Sequence, residues 1–148
     1  MSNPEPLPYE IALKVRDTCL CLHLQRAARA TARRFDTALR PVGLTNGQFS
    51  LMMSLNRSEP ASVGSVSSLL AMDRTTLTAN LKPLERRGLI SVTVDPADRR
   101  TRRLTLTPAG RALLVAGVPL WEAEHGAVDR LLVPTDPDGL RADLRVLS

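Results

Sequence analysis

Aromatic side chains are scarce: two Phe, one Tyr and one Trp in 148 residues, or 3%. A core without aromatics must be assembled from Leu, Val and Ala, and that composition leans helical. No stretch approaches the roughly 20 apolar residues that a membrane helix needs. The first residues, Met1-Ser2-Asn3-Pro4-Glu5-Pro6, lack the basic segment and apolar run of a secretory signal, so a cytoplasmic protein is expected. There are only two cysteines, Cys19 and Cys21. On a helix, residues two apart point to different faces, which argues against a bond between them. No Cys/His spacing matches a structural zinc site, and no metal or cofactor is expected. Phosphate-binding glycine loops, paired-carboxylate motifs and nucleophile elbows are also missing, which argues against an enzyme.

What is present is 43% apolar residues, enough for a core. The formal charge is +5, a balance that suggests a polyanionic partner. Residues 1–8 hold three prolines and read as a loosely docked arm. From Ile11 to Leu39 there is no Pro or Gly, and Val15, Cys19, Leu22, Ala30, Phe35 and Leu39 give one long amphipathic helix stopped at Pro41 and Gly43. Thr45 and Gln48 have capping-box spacing ahead of a second helix with Phe49, Met52, Met53 and Leu55 inward. Ser62 opens a short third helix with Val66, Leu69 and Leu70 inward. Asp73 caps a fourth, whose Leu77, Leu81 and Leu84 form one face. Pro83 predicts a bend there, since an interior proline costs about 3 kcal/mol. Gly88 ends it.

The period then changes from helical to alternating at Leu89–Val94 and Arg103–Leu106, around the polar segment Asp95-Pro96-Ala97-Asp98-Arg99-Arg100-Thr101. This is a β-hairpin with a long tip. Thr107-Pro108 is an N-cap followed by proline at the first helical position. A long helix from Pro108 to about Val133 follows, with a kink expected at Pro119. A loop, Pro134-Thr135-Asp136-Pro137, precedes a last helix, Asp138–Leu147. The fold class is therefore mainly α with a small β-hairpin: a winged helix-turn-helix with N- and C-terminal dimerisation helices. The expected division is 1–44, arm and dimerisation helix; 45–107, winged helix-turn-helix; 108–148, C-terminal dimerisation helices.

The fourth helix is the candidate recognition helix. Arg74, Thr75, Thr78 and Lys82 face outward, flanked by Thr76 and Asn80, and Ser62 joins them from the preceding helix. Arg pairs bidentately with guanine, Asn with adenine, and Thr methyls meet the thymine methyl. A solvated amphipathic helix would look similar. The hairpin tips the balance, because Arg99, Arg100, Arg102 and Arg103 crowd its tip. Tip arginines suit a narrow minor groove, with Asp95 and Asp98 placed to orient one guanidinium. Between Asp73 and Arg111 there are nine Lys/Arg and four Asp/Glu, a surplus equal to that of the whole chain. The rival is a winged-helix module that binds protein and not DNA; the arginine tip argues against it.

Asp73-Arg74-Thr75-Thr76-Leu77-Thr78, Leu84-Glu85-Arg86-Arg87-Gly88-Leu89-Ile90, Asp95-Pro96-Ala97-Asp98-Arg99-Arg100 and Leu106-Thr107-Pro108-Ala109-Gly110 together resemble the multiple-antibiotic-resistance-regulator (MarR) family over nearly the whole chain. The resemblance implies a triangular homodimer joined through its first, fifth and sixth helices. Each winged domain would read half of a palindromic operator in double-stranded DNA, with Asp98 and Arg100 holding the wing and an arginine in the minor groove. It also implies a transcriptional regulator, usually a repressor, released by a phenolic ligand or an oxidant. One branch of the family senses hydroperoxides through a cysteine in this region, and Cys21 falls closest to it. That branch hydrogen-bonds the cysteine with tyrosines, whereas Gln25 and Phe35 stand at the matching positions here and Tyr9 lies outside the helix. Small core residues at a dimer seam are the simpler reading of Cys19 and Cys21. The resemblance places a ligand pocket between the first, second and fifth helices, with His23, Phe49, Met52, Met53, Leu113 and Trp121 as candidate lining for a small aromatic or phenolic ligand. The expected function is a ligand-released repressor, with a thiol-based redox switch as the alternative.

Overall fold

A computed structural model describes residues 5–132 and 135–148. Expectations for residues 1–4, Val133 and Pro134 lie outside the described residues. The chain divides into two compact units, Met1–Arg34 and Phe35–Ser148.

In the first unit, helix α1 runs Tyr9–Thr18 and helix α2 begins at Leu20, continuing to Leu39 in the second. The single helix expected from Ile11 to Leu39 is thus interrupted at Cys19, whose ψ of 107° is extended. Thr18 Oγ1 donates to the Lys14 carbonyl at 2.7 Å, the back-bond that bends helices, and this accompanies the break. The apolar pattern runs straight through, so it carries no sign of the interruption. No residue of α1 is buried.

In the second unit, α2 ends in a 3-10 turn, Arg40–Val42, closed by Gly43 at φ 66°. Helix α3, Asn46–Ser54, starts with the reciprocal Thr45/Gln48 capping box at 3.2 and 3.0 Å. Asp36 reinforces that start, accepting from both the backbone and side-chain nitrogens of Asn46 at 2.7 Å. These two bonds hold its carboxyl below the usual range. Strand β1, Ala61–Ser62, leads into helix α4, Val63–Leu69, which carries a second capping box between Ser62 and Ser65. Leu69, expected inward, is 68% exposed, whereas Val66 is fully buried. A seven-residue helix is under two turns long, so its inward face holds few positions.

Helix α5, Arg74–Arg86, buries Leu77, Leu81 and Leu84. It runs through Pro83 without interruption and ends at Gly88, φ 69°. Strands β2, Ile90–Val94, and β3, Arg102–Leu106, pair antiparallel with Ile90 opposite Leu106 and Val94 opposite Arg102. Strand β1 adds to the other edge of β3, with Ala61 opposite Leu104, giving the order β1-β3-β2. A two-residue strand has no period to detect, so only its pairing reveals it. The α4–α5 pair and this small sheet make a winged helix-turn-helix.

Helix α6 spans Pro108–Leu131, with Pro119 inside it, and helix α7 spans Pro137–Val146. Thr107 caps α6, accepting from the Gly110 amide at 3.0 Å and donating to the Gly88 carbonyl at 2.6 Å. Gly110 explains the Leu-Thr-x-x-Gly motif: a β-carbon there would stand 2.0 Å from the Leu89 carbonyl oxygen. The core is aliphatic apart from Phe49, with Leu39, Leu51, Met52, Val66, Leu77, Leu84 and Leu104 essentially inaccessible. No described helix is long and apolar enough to cross a membrane.

Gly110→Ala should therefore destabilise the fold by about 3 kcal/mol or more, because the obstructing atom is backbone and cannot swing aside. Gly126→Ala, which meets only the flexible Arg130 guanidinium at 3.4 Å, should be neutral or stabilising by up to about 1 kcal/mol. Chemical denaturation of both variants checks the contrast; equal effects would refute the close-approach argument.

Candidate nucleic-acid interface

The outward face of α5 is set by its buried leucines. Arg74, Thr75, Thr76, Thr78, Asn80 and Lys82 are all exposed. Their side chains are not equally free. Asp73 accepts from the Thr76 amide at 2.8 Å and from its hydroxyl at 2.6 Å, so the Thr76 proton is committed to the helix cap. The Thr76 hydroxyl, followed by its amide, holds the Asp73 carboxyl below its usual range. The Arg74 guanidinium lies over Gly64, 3.1 Å from where a β-carbon there would sit. Asn80 reaches the Met72 sulfur at 3.6 Å. Thr75, Thr78 and Lys82 make no side-chain hydrogen bond among the described residues and remain to face a partner. Ser62 accepts from the Ser65 amide at 3.1 Å through its side chain, so its hydroxyl proton stays available.

The wing tip is a folded turn. Asp95 N donates to Thr101 O and Thr101 N to Asp98 O, both at 2.9 Å. Asp98 accepts from the Arg100 amide at 3.0 Å and the Thr101 hydroxyl at 3.2 Å. The expectation that Asp95 and Asp98 clamp one guanidinium is thus corrected. Asp98 fixes the backbone under Arg100, and Asp95 alone takes a guanidinium, that of Arg103, at 3.1 Å. The Ala97 amide and then Arg103 keep the Asp95 carboxyl low. Arg102 leans on the Arg99 carbonyl at 3.3 Å. The Arg99 and Arg100 guanidiniums make no hydrogen bond among the described residues, and both residues are exposed. The wing therefore spends two arginines, Arg103 and Arg102, on its own structure and leaves Arg99 and Arg100 at its end unpaired among the described residues.

A cleft of about 570 Å³ opens between α3, the end of α4 and α6. Phe49, Met53, Leu69, Leu70, Val118 and Trp121 supply its apolar wall, and Ser50, Ser54 and Glu122 its polar groups. Of the expected lining residues it includes Phe49, Met53 and Trp121. Met52 is wholly inside the core, Leu113 packs against the core, and His23 sits on α2 in the first unit. The sequence could not separate these, since all recur at helical spacing. Trp121 stacks on Phe49 at 6.3 Å between ring centres and on His125 at 4.6 Å. Cys19 is half-buried and Cys21 exposed. Gln25 Nε2 donates to Cys21 Sγ at 3.4 Å, and His23 Nδ1 is 2.8 Å from the Cys19 carbonyl.

Residues 44–101, from the residue before the α3 cap to the wing tip, match the model of the MarR family. The chain is 33% identical over 114 residues to the HTH-type transcriptional repressor NicR of Pseudomonas putida, covering 76% of this chain and 68% of that protein. Among solved structures it resembles the Mycobacterium tuberculosis regulator MosR in complex with DNA, at 37% identity and TM-score 0.79, over 87% of this chain and 92% of that one. The chain belongs to the MarR family. A further MarR-like structure, Bordetella bronchiseptica BpsR, whose DNA binding is regulated by 6-hydroxynicotinic acid, is 30% identical with TM-score 0.70, over 86% and 95% of the two chains. The chain spans between 50% and 68% of the lengths of four curated relatives. The relatives named here are transcriptional regulators, and the structure of MosR holds DNA.

Asp73→Ala should lower the denaturation midpoint at neutral pH by removing the α5 cap. Because the folded carboxyl titrates below its unfolded value of about 3.9, the cap contributes above that pH and is lost as pH falls through the depressed folded value. The difference in stability between wild type and Asp73→Ala should therefore shrink between pH 5 and about pH 2; a pH-independent difference would exclude a charged cap.

Proposed function

We propose that this MarR protein acts as a homodimeric repressor on a palindromic operator and is released from it by a small aromatic ligand in the α3/α4/α6 cleft. The observation that carries the reading is the wing: two unpaired arginines on a turn that Asp98 holds by its backbone. In this reading Arg99 and Arg100 enter the minor groove, while Thr75, Thr78 and Lys82 of α5 lie in the major groove and Ser62 meets the phosphate backbone. Arg74, Thr76 and Asn80 support the helix start and its neighbours before they meet bases.

The dimer rests on the terminal helices. Neither α1 nor α7 buries a residue of its own, yet they expose Ile11 and Val15 on one, and Leu140, Leu144 and Val146 on the other. Apolar stripes of this kind suit a second copy. The cleft is of a size for a one- or two-ring molecule, and the regulation of BpsR by 6-hydroxynicotinic acid supports release by such a ligand. The name of NicR supports repression. A second reading, oxidation at Cys21, is favoured by its exposure and its Gln25 contact.

Arg100→Ala should weaken operator and random duplex alike and lower the salt slope of binding by about one unit, whereas Thr78→Ala should relax sequence preference and leave the slope intact. Fluorescence anisotropy across a salt series measures both; unchanged affinity in Arg100→Ala would refute the wing assignment. Leu144→Asp should turn a dimer into a monomer in sedimentation equilibrium, and a monomeric wild type would refute the dimer. Cumene hydroperoxide should leave operator binding unchanged under the ligand reading. If it releases the wild type but not Cys21→Ser, the redox reading replaces it, with Cys19→Ser as the control.

A further inference from the structure

We propose that Glu122 makes the cleft select aromatic ligands that carry a positive charge, as in an arylalkylamine, over aromatic carboxylates. The inference rests on the cleft being the effector site and adds what the effector must be.

The cleft has a ring-binding wall in Phe49, Met53 and Trp121 and a small polar inventory. Ser54 Oγ donates to the Leu51 carbonyl at 2.6 Å, so its proton is committed and it offers a ligand only lone pairs. Glu122 is a carboxylate and accepts only. Ser50 and the indole N–H of Trp121 are the lining side chains that can donate. Among the described residues no Lys, Arg or His lines the cleft, and Glu122 is its one ionisable side chain. Beyond the Trp121 wall, past His125, Arg141 is held by Asp129 and Asp138. An entering carboxylate would lose water, gain at most two neutral donors and meet a like charge. An entering ammonium would gain up to three acceptors, one of them charged, and its ring would meet the same wall. A single charge at a half-open site is worth on the order of tenfold in affinity at low ionic strength, and less as salt rises.

Trp121 is the chain's one tryptophan and stands in the cleft wall, so its emission reports binding in the full-length protein. The probes are 2-phenylethylamine, 2-phenylethanol and phenylacetate, which share a ring and differ in charge. The amine should bind about tenfold more tightly than phenylacetate, with the alcohol between, and the spread should narrow at about 1 M salt. Glu122 is exposed on α6, so its substitutions leave the core alone. Glu122→Gln should bring all three probes within about twofold of one another, and Glu122→Lys should invert the order. Saturable binding with phenylacetate equal to or tighter than the amine, or an order unchanged in Glu122→Gln, overturns the charge selection while leaving the cleft as effector site. No saturable response to any probe overturns the cleft reading and this inference with it.

Discussion

The fold turns on the junction at Thr107. Its hydroxyl donates to Gly88, at the end of α5, and accepts from Gly110, in the first turn of α6. Its amide donates to the Leu89 carbonyl at 3.1 Å, at the foot of the wing. The same carbonyl presses against Gly110 so closely that no side chain fits. Three consecutive elements, helix α5, the hairpin and the long helix α6, are thereby fixed in one place by a threonine and a glycine. A hydroxyl that bonds both ways supplies direction, and a missing β-carbon supplies distance.

From that anchor the charges fall into two groups. Asp73, Asp95 and Asp98 serve cap and turn, and they draw in Thr76, Arg103 and the Arg100 amide. What they leave out, Arg99 and Arg100 on the wing and Lys82 on α5, lies on the exposed basic surface. A structural acid placed beside an unpaired arginine aims it: the carboxylates hold the backbone, and the backbone holds the arginines.

Much of this was legible in the residues themselves. Thr45/Gln48, Asp73, Thr107-Pro108 and Gly88 mark helix ends through local chemistry, and the leucines of α5 mark its buried face. Legibility failed where the deciding contact was distant or too short to be periodic. Strand β1 exists only because β3 lies beside it. The interruption at Cys19 comes with a Thr18 hydroxyl turned back along the chain, within an unbroken apolar pattern. Met52 and Met53 are neighbours in sequence, one sealed in the core and the other on the cleft, and only packing tells them apart. The pairing of Asp95 with Arg103, and not Asp98 with a guanidinium, follows from the cross-strand geometry of the hairpin.

Strand β1 has a mechanical meaning. Ser62 is at once the residue that caps α4 and the residue hydrogen-bonded into the sheet opposite Arg103. The helix-turn-helix and the wing therefore share a rivet, and the Thr107 junction is a second one. Two fixed points tie the wing to the helix-turn-helix. In the homodimer proposed above, a signal arriving from elsewhere would alter DNA binding by carrying the whole head to a new position or angle, so that regulation would be a matter of spacing between heads and not of shape within one.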